Sequence, residues 1–484
     1  MPDPMNSLPM LRALVPFVAG ILLADSFVLP WGFLAAAFLL CGVVALLLRS
    51  SAAVVGMLFV AGWGVCQLRT PMRSVPVGTL CVWEVEVEEL PADRGDYFTA
   101  TGVVRGWNSL SDGCRHSARD RVLLRADSAV SLPAGGCIRC FGRIRPLRSG
   151  SASYLQLMAR RGFVGTLSLS ARDLIDSEPA VRPGIHLRAA ARMKHACSAS
   201  DAGAVVRAMT VADRSALSPE LRAAYSRSGM SHLLAVSGLH TGIVFLLINF
   251  VLRWFSLLRY GHLLRDLLAV GAVWLYVAAA GFPSSAVRAA AMCTLLQGAL
   301  AAGSEYVALN ALAAAAFGML LWNPAWIGDV GFQLSFIAVA AILLWAAPLC
   351  RRLHTGRRAV DFAVGFWAVG FTASLAVAPL VSHVFGVVPV AGLLLNPVVV
   401  PLAGVVVLSG VCGLLLPVCC GAGEGAAWLL NTLACATASV PGGSIGYALP
   451  AEWTAACYLL FVVATAVAYR FEPKKNVHLP RDNS

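Results

Sequence analysis

The chain is poor in charged residues, and this scarcity excludes most classes of protein. Only 13% of its 484 residues are charged, 58% are hydrophobic, and the mean hydropathy is +0.75. A soluble domain carries about 25% charged residues, and it cannot hide so much apolar surface from water. The composition excludes a soluble enzyme, a disordered chain and a coiled coil. It predicts a polytopic α-helical membrane protein that uses lipid as part of its solvent.

Two kinds of catalytic equipment are also missing. The only lysines are Lys194, Lys474 and Lys475, and none follows a glycine, so there is no Walker A loop for ATP hydrolysis. The nine histidines are spaced too widely for an HExxH pair or a histidine-rich cluster. We therefore expect no metal, no cofactor and no enzymatic activity. The formal net charge of +12 is carried mainly by arginine.

Apolar runs of membrane-spanning length are abundant. A helix needs about 20 apolar residues to cross the hydrocarbon core. Three runs come early and nine follow a polar interval, which predicts about twelve transmembrane helices. The run 389–416 is long and contains Asn396-Pro397 and Pro401, so one broken helix and two passages both stay open. The predicted spans are 10–28, 31–48, 52–68, 232–252, 266–282, 286–302, 307–322, 330–349, 361–384, 389–416, 424–441 and 453–469.

The basic residues of the short loops predict an orientation for these spans. With the N-terminus in the cytoplasm, the arginines of 253–265, those of 351–358 and the basic tail after 469 all fall inside. This agrees with the positive-inside bias of membrane proteins. The polar interval 70–180 then lies outside the cytoplasm.

The polar interval predicts a small all-β module. Apolar and polar residues alternate in five short runs between 81 and 171, separated by Gly, Pro, Asp and Ser. About five strands of this length suit an OB-like barrel, and a sandwich fragment fits nearly as well. The predicted organisation is three transmembrane helices in 1–69, the extracytoplasmic β module in 70–180, amphipathic helices on the membrane surface or under that module in 181–230, a transmembrane channel domain in 231–470 and a tail in 471–484.

A basic stretch of the β module has the composition of a DNA-binding surface. Arginines neutralise phosphates, and aromatic faces stack on unpaired bases. A solvated face of a basic protein is the alternative. Cys137 and Cys140 resemble half a zinc site, but residues three apart on a strand point to opposite faces, so we expect no zinc. The candidate DNA-binding residues are Arg139, Phe141, Arg143, Arg145, Arg148, Tyr154, Arg160 and Arg161, a stretch without acidic residues.

Polar side chains also interrupt the predicted spans, where they are costly unless they face water or one another. Ser237, His240 and Thr241 would share one face of the span that His232 begins. They suit a wet cavity or helix–helix hydrogen bonds. A serine–histidine hydrolase dyad is a third interpretation, although residues three apart on one helix rarely give its geometry.

Arg288 lies in the first turns of the span that Pro283-Ser284-Ser285 begins. A helix N-terminus with an arginine suits a phosphate group, and an ion pair with Asp329 is the alternative. The same polar residues would also suit a transporter or flippase of a small or lipid-linked anion. The candidate channel-lining residues are His232, Ser237, His240, Thr241, Arg288, Gln333, Ser335 and Asn396.

Four segments resemble the signature blocks of the ComEC-type competence proteins, in the family's order. The three early spans, the OB-like module, the segment YLQLMARRGFVGTL (154–167) and the run into the first block resemble the family as well. The four blocks are SHLLAVSGLHTGIV (231–244), GFPSSAVRAAAM (281–292), GDVGFQLSFIAV (328–339) and LLLNPVVVPLAGVVVL (393–408).

This resemblance implies a multi-pass channel in the bacterial inner membrane that imports one strand of transforming DNA. Its implied partners are single-stranded DNA, the lipid bilayer, an external DNA receptor and a cytoplasmic ATPase. The longest family members carry a metallo-β-lactamase-like domain after the last span, and this chain stops at Ser484. The resemblance therefore implies a separate nuclease. It leaves open whether the chain forms a homo-oligomer.

Overall fold

A computed structural model shows a mostly helical protein with one β barrel inserted after the third helix. Three of the predicted DNA-binding residues, Arg148, Tyr154 and Arg160, lie outside the described residues. The structure describes residues 8–24, 27–69, 75–93, 95–109, 114–147, 155, 158–159, 161–180, 182–257, 259, 261–303, 306–388, 390–440 and 445–471.

The predicted apolar spans are helical, and twelve helices overlap them. Six helices of the described residues are long and apolar enough to cross a membrane, and four apolar helices are shorter. The helices are α1 (Pro9–Ala24), α2 (Trp31–Leu48), α3 (Ser51–Arg69), α4 (Ile185–Ala196), α5 (Asp201–Val211), α6 (Pro219–Arg227), α7 (Gly238–Leu252), α8 (Gly261–Ala279), α9 (Ser284–Ala301), α10 (Ala308–Trp322), α11 (Val330–Arg352), α12 (Arg358–Phe385), α13 (Val390–Gly413), α14 (Cys420–Ala438) and α15 (Ala451–Phe471).

The long apolar run 389–416 forms a single helix, α13, which includes both Pro397 and Pro401. The amides that these prolines lack are tolerated because neighbouring helices can satisfy the freed carbonyl groups.

The expected start of the span 232–252 is wrong. Residues 231–236 form turns, and α7 begins only at Gly238, with Ser237 as its N-cap. Ser and Gly favour this boundary because a serine hydroxyl accepts from the free amides of the first turn. His232 is therefore not on the helix, and Ser237 does not share a helical face with His240 and Thr241.

The sequence predicts amphipathic helices in 181–230, on the membrane surface or under the β module, and α5 differs because it has no exposed face beyond its first turn. Nine of its eleven residues are buried, from Gly203 to Val211, and the helix packs between α13 and α14. Its residues are mostly Ala, Val and Gly, which allow close helix approach from all sides. The buried Arg207 lies 3.9 Å from Asp213, so a charge is buried here with its partner.

We expect Gly410→Ala to destabilise the protein because a Cβ at Gly410 would clash with Oγ1 of Thr210 on α5. Overpacking a tight core costs roughly 1–3 kcal/mol. Gly425→Ala on α14 is the matched control, because a Cβ there has no neighbour within 4 Å. Thermal unfolding of the purified protein in detergent measures both. Equal midpoints for the two variants would contradict the packing of α5 against α13.

The inserted β module is a closed barrel. Its long strands follow the order β1-β3-β5-β7-β6, and β6 pairs back with β1. The pairs are antiparallel except β5 with β7, which is parallel. Alternate side chains fill the interior, among them Trp83, Ile138 and Leu167. The strands are β1 (Leu80–Val87), β2 (Ala92–Asp93), β3 (Tyr97–Ser109), β4 (Arg115–Ser117), β5 (Arg121–Asp127), β6 (Cys137–Arg145), β7 (Phe163–Leu169) and β8 (Leu174–Glu178), with a separate pair of β9 (Val387–Val388) and β10 (Ile445–Gly446).

Candidate functional site

Three of the signature segments meet at the N-terminal ends of α7, α9 and α11. The hydroxyl of Ser285 donates to the carbonyl oxygen of Val236, 2.6 Å away, and joins α9 to the turn before α7. The hydroxyl of Ser284 donates to Asp329 Oδ2 at 2.8 Å and joins α9 to α11. Polar side chains that are far apart in the sequence thus converge at one end of three helices.

Arg288 is the centre of this convergence. It is 5% exposed, its Nε donates to Ser335 Oγ at 2.8 Å, and its Nη1 lies 3.7 Å from the sulfur of Met292. Among the described residues, no acidic side chain forms an ion pair with it. Burying a charge without a partner costs several kcal/mol, so such a residue is kept for function more often than for stability. The alternative of an Arg288–Asp329 ion pair is wrong, because Asp329 pairs with Arg161.

The N-terminus of α7 lies directly against this guanidinium. A Cβ at Gly238 would clash with Nη2 of Arg288, so a larger residue here would displace the guanidinium. Ser237 caps the helix, since its Oγ accepts from the amide of His240 at 3.4 Å. A helix N-terminus carries about half a positive charge, so two positive groups face each other here. Two adjacent positive groups favour an anion that lies beside both of them.

His240 adds an unused polar atom. Its ring is fully buried, and its Nε2 has no hydrogen-bond partner among the described residues. Its Nδ1 accepts from the backbone amide of Ser237 at 3.3 Å. The serine hydroxyl and the imidazole therefore form the two halves of a helix cap rather than a nucleophile and its base. Thr241 is also buried, and its hydroxyl donates to the carbonyl of Ser237. We call Gly238, His240, Arg288 and Ser335 the Arg288 site.

The remaining predicted channel residues lie at varying distances from this site. The amide of Gln333 donates to the carbonyl of Ile327 at 2.7 Å, in the first turn of α11. His232 is exposed, with Nδ1 3.0 Å from the carbonyl of Gly229. Asn396 contacts α12 instead, where its Nδ2 lies 3.4 Å from Ser374 Oγ. Its Oδ1 is buried and has no partner among the described residues.

A second polar cluster was not predicted from the sequence. Gln297 is 3% exposed, and its amide donates to Asp266 Oδ1 at 2.7 Å and to Asn249 Oδ1 at 3.4 Å. Arg265 also donates to Asp266. Gln297 lies nine residues beyond Arg288 on α9, which is about 13 Å along the helix. Its partners come from α7 and α8, so no spacing within one span indicates the cluster.

In the folded barrel, acidic residues of neighbouring strands lie opposite part of the basic stretch. Strand β6 presents Arg139, Phe141, Arg143 and Arg145 on its outer face. However, Arg139 lies opposite Glu84 of β1 and Asp176 of β8 in the strand register. On this outer face of β6, positive charge without an acidic residue opposite it is therefore confined to the end that carries Arg143 and Arg145.

The two cysteines of β6 lie on opposite faces of the strand, as the spacing predicts. Cys137 is half-buried and Cys140 is buried. Burial of the Cys140 thiol, with a smaller effect of Asp173, raises its pKa to about 12. A thiol with so high a pKa is a poor metal ligand and a poor nucleophile.

The barrel contacts the helical part beside the Arg288 site. Arg161, just before β7, forms an ion pair with Asp329, which also caps α11 by accepting from the amide of Phe332. Leu90 of the barrel packs against the helical core. Nearby, burial lowers the pKa of Arg214, and its Nε donates to the carbonyl of Leu234 in the turn before α7.

Comparison with known proteins places the helical part in a family. Residues 209–471 match the model of the competence protein family. ComE operon protein 3 of Bacillus subtilis (strain 168) is 30% identical over 221 residues, which are 45% of this chain and 27% of that protein. Competence protein ComA of Neisseria gonorrhoeae is 32% identical over 214 residues, 42% of this chain and 29% of that protein.

A third relative, an uncharacterized protein of Aquifex aeolicus (strain VF5), is 31% identical over 199 residues, 41% of this chain and 44% of that protein. The chain thus spans less than half the length of each of these relatives. No solved structure matches. The family model covers more than half of the 484 residues and includes the Arg288 site. The chain therefore belongs to the competence protein family.

Proposed function

We propose that this protein is a channel that passes single-stranded DNA into the cytoplasm during natural competence, and that it is not an enzyme. Membership of the competence protein family supports this proposal, and the relative from Neisseria gonorrhoeae is named a competence protein. The observation that carries it is the buried Arg288, which has only a neutral hydroxyl as its hydrogen-bonding oxygen partner among the described residues.

The chemistry of the Arg288 site suits a phosphodiester. A phosphate oxygen accepts from a guanidinium and from the free amides of a helix N-terminus, both of which the site offers. A long polyanion must pass without being trapped, so strong and repeated charges would hold it in place. One arginine surrounded by neutral donors meets both needs.

We propose about twelve transmembrane helices in a multi-pass inner-membrane protein, with the β module outside the cytoplasm. The overlap of twelve helices with the apolar runs supports this count. In that arrangement α7, α9 and α11 all begin on the outer side. The contacts among their N-terminal ends, and the Arg161–Asp329 pair with the barrel, agree with it.

We propose that the β module is an OB-type barrel that receives the strand. Without the short strands β2, β4 and β8, its five strands follow the order 1-2-3-5-4-1, and the third and fifth strands run parallel. This closed five-stranded order supports an OB-type barrel, a class of barrel that often binds oligonucleotides. An external DNA receptor, a separate nuclease and a cytoplasmic ATPase are the further proposed partners.

Uptake of labelled DNA by a strain that lacks the gene tests the proposal. We expect DNase-resistant label and transformants to disappear, and a wild-type copy to restore both. Normal transformation without the gene, with altered transport of a small or lipid-linked anion, would instead favour the transporter.

A further inference from the structure

A cavity of about 390 Å³ opens on the barrel surface, where β1, β3 and β5 meet the turn before β7. We call it the charged cavity. Four guanidinium groups and two carboxylates line it, so its wall has an excess of positive charge. These residues are Arg105, Arg119, Arg121, Arg161, Glu86 and Glu88.

Three of the four arginines have carboxylate partners. Arg105 pairs with Glu86, Arg121 pairs with Glu88 at 3.0 Å, and Arg161 pairs with Asp329. Arg119 is exposed and has no ion-pair or hydrogen-bond partner among the described residues. One guanidinium of the cavity is thus available without breaking any contact.

The paired arginines are available at little cost. In the pairs with Glu86 and Glu88, between 34% and 49% of each side-chain surface is exposed. Exposed ion pairs contribute little to stability because water and salt screen them. An arginine forms stronger, two-pronged hydrogen bonds with a phosphate, so a polyanion can displace these glutamates.

We propose that the charged cavity binds the phosphodiester backbone of single-stranded nucleic acid, an inference that rests on the proposed function. Its location supports this. Arg161 of the cavity wall contacts Asp329, which accepts from Ser284 at the start of α9. Arg288 follows one turn later, so a strand in the cavity lies beside the Arg288 site. The arginines on the outer face of β6 are less suitable for binding a polyanion, because Glu84 and Asp176 lie opposite Arg139.

The test is oligonucleotide binding by the full chain in nanodiscs of neutral phosphatidylcholine. A fluorescent oligothymidylate reports the dissociation constant by anisotropy over a range of salt concentrations. We expect Arg119→Glu to weaken binding about tenfold, and Arg119→Ala to reduce the slope of log affinity against log salt by about 0.7. Arg172→Glu is the matched control, since Arg172 is exposed on the same barrel outside the cavity.

A variant that should bind more tightly serves as a control for misfolding. Glu86→Gln removes the carboxylate that competes for Arg105, so we expect affinity to rise about threefold. A folding defect would not raise it. Equal losses with Arg119→Glu and Arg172→Glu, or a loss confined to Arg143→Glu on β6, would overturn the inference. Displacement of the oligonucleotide by phosphatidylglycerol only when Arg119 is present would assign the cavity to lipid and overturn it too.

The two proposals fail in different experiments. If the wild-type protein binds no oligonucleotide but transformation needs the gene, the proposed binding in the charged cavity is wrong and the proposed channel stands. If binding depends on Arg119 but the organism transforms normally without the gene, the proposed channel is wrong and the proposed binding in the charged cavity stands.

Discussion

Replacing Arg288 by alanine should reduce transformation by roughly 10- to 100-fold, the value of one or two hydrogen bonds to a charged group. The protein should still accumulate in the membrane. Arg288 has no acidic partner among the described residues, so its removal leaves no carboxylate unpaired. Ser335 Oγ and the Met292 sulfur lose a donor. Loss of an unpaired buried charge often leaves stability unchanged or improved. Transformation frequency and immunoblots of the membrane fraction measure the two effects separately.

Two further variants distinguish a phosphate contact from a structural role. Arg288→Lys keeps the charge but loses the planar fork, so we expect intermediate transformation. Gly238→Ala adds a Cβ that clashes with the Arg288 guanidinium and should lower transformation without changing any charge. Gly242→Ala on the same helix is its control, because a Cβ there meets nothing within 4 Å. If both glycine variants transform equally well, the guanidinium does not act from this position.

The helices were predictable because the bilayer fixes their length. Each apolar run of about 20 residues became a helix, including the run of α13, where two prolines left the outcome open. The barrel strands followed from the alternation of apolar and polar residues. The start of α7 was missed because SHLLAV is as apolar as a helix turn, so hydropathy does not mark its boundary. The Ser237-Gly238 cap was the signal that marks it.

The charge partners of the site were not predictable from local sequence. Asp329 lies at the same end of the helices as Arg288, but its oxygens are occupied by Ser284, the α11 amide and Arg161. Arg161 comes from the barrel, 168 positions away in sequence. Similarly, the acid-free stretch after Arg139 meets Glu84 only because β1 and β6 close the barrel. Sequence patterns report the faces of elements, whereas ion pairs between elements depend on how those elements assemble.

Asp329→Ala should destabilise the protein by about 2 kcal/mol, since it removes a helix cap and a partly buried hydrogen-bond acceptor together. The amide of Phe332 and the hydroxyl of Ser284 both lose their acceptor, and Arg161 loses its ion-pair partner. Asp329→Asn keeps an oxygen for the cap and for Ser284, so we expect a much smaller loss. The midpoint of thermal unfolding in detergent measures this series.

Arg161→Ala removes the ion pair between the barrel and the start of α11, and it also removes one guanidinium from the charged cavity. It leaves the cap of α11 and the bond to Ser284 intact, so the unfolding midpoint should hardly change. Transformation should nevertheless fall, because the barrel is no longer held beside the first turns of α9 and α11. The double variant Arg161→Ala/Asp329→Ala should be no less stable than Asp329→Ala alone, since the second change then removes no remaining contact. A double variant clearly less stable than Asp329→Ala would show that Arg161 makes stabilising contacts besides the ion pair with Asp329, and it would contradict this prediction.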